Sequence, residues 1–148
     1  MNAVRSSSSS QNPLSQFATG ARLTIINTTR STKLATEAEI AATASSRNKG
    51  LLGRTSLTEG GGLWIVPCES VHTFFMKFPI DLVYINRRNI VKKVRCNVRP
   101  WRISACFSAH SIIELPVGAI DRSQTVPGDQ LEIVSIESSP MDLVDLGS

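Results

Sequence analysis

The chain has 148 residues, 41% of them hydrophobic, and a formal net charge of +4. That length buries one proper core, so a single domain is the default. No run approaches the roughly 20 consecutive apolar residues of a membrane-spanning helix, and Met1 to Gln16 holds no hydrophobic run fit for a secretory leader; the expectation is a soluble, cytoplasmic protein without membrane insertion.

Cysteine usage agrees with that compartment, because Cys68, Cys96 and Cys106 form an odd set that cannot all pair within one chain. The charge is uneven: +4 over residues 1–60, +6 over 61–110 and −6 over 111–148. A basic middle and an acidic end either steer an anionic partner or let the two segments pack together, and in a compact domain the second use is the ordinary one.

In chain order, residues 1–20 carry a serine run from Ser6 to Ser10 with Gln11, Asn12 and Pro13, a composition too polar to offset the entropy of ordering, and read as a disordered tail. Leu23 to Ile26 is a β-branched run closed by Asn27, Thr28 and Thr29, which supply turn chemistry. Lys33 to Ala41 alternates weakly, as a second strand would. Capping residues from Thr43 and the apolar pair Leu51 and Leu52 predict one short helix over about residues 45–53.

Gly60, Gly61 and Gly62 make a flexible turn before the continuous apolar strand Leu63 to Val66; with no Lys-Ser/Thr pair after it and a strand following, the triplet is not a phosphate loop. Val71 to Phe75 and Ile80 to Ile85 read as strands interrupted at Pro79. Asn86 to Asn89 is a polar hairpin turn into Ile90 to Val98. Ser111 to Leu115 and Leu131 to Ile136 are further strands, each followed or preceded by a turn containing Pro and Gly. Many short strands with turn signals between them predict a mostly β single domain, a sandwich or open barrel carrying one short helix, over residues 21–137, with an acidic tail at 138–148.

The run His72, Thr73, Phe74, Phe75, Met76, Lys77, Phe78, Pro79, Ile80, Asp81 resembles the signature of domain-of-unknown-function family 192. The resemblance extends to Lys49–Arg54, to Arg99, Pro100, Trp101 and Arg102, and to Glu114–Gly118 followed by Gly128 and Asp129, covering about residues 21–137. It implies a compact β-sandwich-like fold with a short helix and no agreed activity, cofactor or substrate. Phe75 stands where many members have Trp. Arg88 and Asn89 stand where many have Asp-Gly, which predicts a longer or looser hairpin tip.

Cys68 and His72, and again Cys106 and His110, share a Cys-x3-His spacing that in principle makes a tetrahedral zinc site, but the spacing is not a usual finger pattern and no metal or cofactor is expected. A nucleophilic Cys/His pair needs a proximity that spacing cannot show, and no catalytic residue is assigned. A hydrolase would have to use His72 or His110 with a carboxylate such as Asp81, Glu114 or Asp129. More suggestive is the stretch from Leu82 to Ile113, which has no acidic residue and interleaves Arg95, Arg99 and Arg102 with Trp101 and Phe107. The expected site joins the Met76–Asp81 bend to the Pro100–Arg102 loop, with His72, Phe75, Met76, Lys77, Asp81, Arg99, Trp101 and Arg102 as ligand-binding residues. The expected partner is a small anionic ligand or peptide rather than nucleic acid, and the hydrolase using His72 is the alternative.

Overall fold

The computed structural model describes Leu14, Phe17 and residues 20–136; the tails expected at 1–20 and 138–148 lie almost wholly outside the described residues. Among the described residues, nine strands and two short helices follow one another as β1 (Leu23–Asn27), β2 (Thr32–Ala41), α1 (Ala44–Lys49), β3 (Gly61–Ile65), β4 (Ser70–His72), β5 (Ile80–Ile85), β6 (Val91–Val98), β7 (Ile103–Ala105), β8 (Ser111–Leu115), α2 (Ala119–Ser123) and β9 (Leu131–Ser135). No helix among the described residues is long and apolar enough to cross a membrane.

Seven strands form one sheet in the order β6-β5-β8-β3-β2-β1-β9, and β4 pairs with β7 in a separate ribbon. All pairings are antiparallel except β2 with β3, whose connection carries α1. The sheet curls until its two edges meet at one end, where Ile90 bridges Gln130 and the Val91 amide donates to the Asp129 carbonyl. Of the two expected architectures, the chain thus adopts the open barrel.

Curling gives the central strands two buried faces, and this is why β5 and β8 are buried along their whole length. Along β5, Val83 and Ile85 join Leu23, Trp64 and Ile113 in one core, while Leu82 and Tyr84 join Leu63, Ile112 and Met76 in another. The second core is covered by Leu51, in the turn after α1, and by the β4–β7 ribbon. Three polar contacts anchor that ribbon: the Tyr84 hydroxyl donates to Ser104 Oγ at 2.6 Å, Lys93 Nζ to the Ala105 carbonyl at 2.8 Å, and Arg95 to the Ile103 carbonyl at 3.4 Å.

Helix α1 begins at Thr43, whose side chain and that of Ser46 form a reciprocal capping box, and it stops at Gly50, earlier than the expected residue 53. The second helix was not anticipated. At the hairpin tip Asn89 adopts a left-handed φ of 61° and the Asn86 side chain accepts the amides of Arg88 and Ile90. The turn is therefore tight, because asparagine tolerates the conformation that glycine would otherwise supply.

Candidate functional site

The β4–β7 ribbon positions the aromatic part of the site. His72 pairs with Ile103 at the ribbon's end, after which both chains turn sharply. Thr73, buried at this junction, ties the two turns together. Its amide donates to the Arg102 carbonyl at 2.8 Å, its carbonyl accepts the Trp101 amide at 3.0 Å, its hydroxyl donates to the Arg99 carbonyl at 2.7 Å and accepts the Arg102 amide at 2.8 Å. Phe75 and Trp101 both adopt left-handed φ values, 65° and 66°, a conformation that L residues with bulky side chains seldom take.

The result is a ledge of rings held out from the body. His72 lies against Phe74 with centroids 4.9 Å apart, Phe74 stacks on Trp101 at 5.6 Å, and Phe75 meets Trp101 at 4.7 Å. Phe75 is 70% exposed, Trp101 56% and the adjoining Ile103 68%. Lys77, Arg99 and Arg102 are exposed as well, and none of the three makes an ion pair among the described residues.

Of the eight expected site residues, His72, Phe75 and Trp101 form this ledge, Arg99 and Arg102 lie in the turn bonded to Thr73, and Lys77 is exposed two residues after Phe75. The other two lie elsewhere. Met76 is buried beneath it. Asp81 is also buried and faces backbone amides: Oδ1 accepts from Asn97 at 2.8 Å, and Oδ2 from Gly118 at 3.1 Å and Ile120 at 3.2 Å, so its carboxylate holds the start of α2.

His72 of the ledge also borders a cavity of about 350 Å³. Leu51, Leu52, Ile65, Val71 and Met76 give it apolar walls, Arg47 and Lys49 basic ones, and Cys68 and Glu114 also line it. Glu114 pairs with Leu63 on one side and Leu82 on the other, so the carboxyl rises from the middle of the sheet. It is only 6% exposed, and its Oε2 has no hydrogen-bond partner among the described residues. Burial pushes this carboxyl up to about 7, partly offset by the positive charge of Arg54.

Glu114 was not among the expected ligand-binding residues, although its signal is present: a lone acid inside the apolar strand Ser111–Leu115 has to be either paired or functional. The cysteines carry less. Burial is the main influence on Cys68 and raises its thiol pKa, its Sγ donates to the Ser70 carbonyl, and Cys106 Sγ contacts Ser108 Oγ. Among the described residues no three His, Cys, Asp or Glu side chains gather closely enough to hold a metal ion. Nor does His72 hydrogen-bond a carboxylate, although it borders the same cavity as Glu114.

The model of domain-of-unknown-function family 192, described as an uncharacterized ACR, matches residues 25–133. The chain belongs to this family. A UPF0127 protein of Thermococcus sibiricus is 32% identical over 114 aligned residues, covering 73% of each chain. Two solved structures share the fold of this family 192 member. One, from Sinorhizobium meliloti and described as a "putative transcription regulator", superposes with a TM-score of 0.67 at 23% identity over 78% of this chain and 94% of its own. The other, a protein of unknown function from Novosphingobium aromaticivorans, gives 0.63 at 22% identity over 75% and 83%.

Proposed function

We propose that this domain is a non-enzymatic binding module, and that its ledge of His72, Phe74, Phe75 and Trp101 receives an anionic partner, an acidic peptide or small anion, with Lys77, Arg99 and Arg102 supplying the charge. One observation carries the reading: a continuous stack of rings, two of them more than half exposed, is fixed by the hydrogen bonds of Thr73 beside three cations that have no acidic partner among the described residues. Exposed aromatic area on a rigid support is an expensive arrangement in water and an ordinary one at an interface. A structural role for the arginines would pair them with the acidic C-terminal third, but among the described residues neither Arg99 nor Arg102 makes an ion pair and Asp129 pairs with Arg30.

The hydrolase reading has less support. A general base needs an orienting or reacting partner within reach, and His72 instead packs on Phe74. Three free cysteines favour a reducing, cytoplasmic setting.

Trp101 is exposed and Trp64 buried, so a change of emission on titrating the protein with Asp/Glu-rich peptides reports the ledge. The Arg99→Ala/Arg102→Ala double variant is expected to bind about tenfold or more weakly with an unchanged melting temperature, and added salt to weaken the parent. Unaltered affinity in the double variant would overturn the proposal. So would a large loss of melting temperature without any peptide bound, which would make the arginines structural.

A further inference from the structure

The cavity bordered by His72 and Glu114 calls for a different ligand. A carboxyl at the centre of a sheet, between two leucines, is a place where an apolar side chain would serve packing better. Its Oε2 is buried without a hydrogen-bond partner among the described residues, which disfavours the folded state unless a ligand group fills the space. The space is there: about 350 Å³, within the range of small-molecule sites. Its walls are of two kinds, hydrocarbon from Leu51, Leu52, Ile65 and Met76, and cationic from Arg47 and Lys49.

We propose that this cavity binds a small monocarboxylate with a short apolar tail, its carboxylate accepting a hydrogen bond from protonated Glu114 and facing Arg47 and Lys49, its tail against Leu51, Ile65 and Met76.

The alternatives fit less well. An amine would find ionised Glu114 but also two like charges, Arg47 and Lys49, on α1. A neutral alcohol or amide would use Glu114 and leave the basic side without purpose. The acid–carboxylate hydrogen bond needs one proton between two carboxyls, and Glu114 holds a proton near neutrality because burial disfavours its charge. The charged and titratable groups that line the cavity with it or act on its charge are Arg47 and Lys49 from α1, Cys68 after β3, His72 from β4, and Arg54.

The test is a calorimetric titration of the full chain with hexanoate, hexanamide and hexylamine at pH 6 and pH 8. Hexanoate is ionised at both values, whereas the Glu114 carboxyl passes from mostly protonated to mostly ionised, so hexanoate is expected to bind about tenfold more weakly at pH 8 and more tightly than the amide at pH 6. Glu114→Gln keeps a donor and should bind hexanoate with little pH dependence; Glu114→Leu should lose binding while melting no lower than the parent. His72→Gln should retain the pH dependence, and Arg99→Ala/Arg102→Ala should leave hexanoate binding intact, which separates this site from the ledge. Preferential binding of hexylamine, no hexanoate binding at 10 mM and pH 6, or a pH dependence that survives in Glu114→Gln would each overturn it.

Discussion

At Glu114 the sheet carries a carboxyl where its neighbours Leu63 and Leu82 present only hydrocarbon. Its consequence for stability has a definite sign. The folded carboxyl titrates at about 7 and the unfolded one near its ordinary value of 4.5, so between those values the folded chain holds a proton that the unfolded chain releases. Stability from this group is complete below about pH 4.5 and is lost as pH rises to about 7, the loss amounting to about 3 kcal/mol. Glu114→Gln should remove that slope, and chemical denaturation at pH 5 and pH 8 measures it as the difference between variant and parent. Parallel profiles for the two proteins would refute it. The position was legible in the sequence as a charge in an apolar strand; its lack of a partner was not, because that depends on what β3, β5 and the turn after α1 bring near.

Among the elements, the β4–β7 ribbon shows how far local patterns reach. The motif Arg99-Pro100-Trp101-Arg102 stands out by composition, but its seat against Thr73 depends on pairing across about thirty residues, which neither strand's three residues announce. Strand β7 was missed for that reason. Helix α2 escaped for another: its start is held by Asp81, 37 and 39 residues upstream of Gly118 and Ile120, instead of by a local cap. Strands β1, β3, β5, β8 and β9 were legible because their β-branched and apolar residues need only burial. Thr73 is the element-scale test. Thr73→Val retains the shape but strands the Arg99 carbonyl and Arg102 amide, and should cost about 1–3 kcal/mol while raising hydrogen exchange at Trp101 and Arg102. Thr73→Ser should stay close to the parent; if the serine variant loses as much as the valine one, the clamp is packing and not hydrogen bonding.

Over the whole molecule, closure of the curl at one end depends on a polar knot around Asp129. Its carboxylate accepts from Asn27 Nδ2 at 2.9 Å, Arg30 Nε at 3.0 Å and the Val126 amide at 3.1 Å, joining the end of β1 to the loop that enters β9. Burial opposes the charge, yet the bonds from Arg30, Asn27 and Val126 prevail and hold this carboxyl below its ordinary range. The sign is opposite to that of Glu114: the contribution is present above the ordinary carboxylate range and disappears as pH falls through the lowered value. Asp129→Ala should lower stability by about 2–4 kcal/mol in urea denaturation at pH 7, and Arg30→Ala by less because the guanidinium is 39% exposed. Equal losses would show that the ion pair and not the network matters. The Pro-Gly turn before β9 is legible in the sequence, while Asn27 and Arg30, about a hundred residues from Asp129, lie beyond its reach.

The first and last strands of the sheet, β1 and β9, lie side by side, and the amide of Ile136 donates to the carbonyl of Arg22 at 2.8 Å. Arg22 and Ile136 are therefore neighbours in space although more than a hundred residues separate them along the chain. A short linker between them, with the chain reopened in the exposed stretch at Thr55 and Ser56, gives a circular permutant that preserves every strand pairing, the ledge and the cavity. By the same geometry the domain fits into a surface loop of a host protein, entering and leaving at one point.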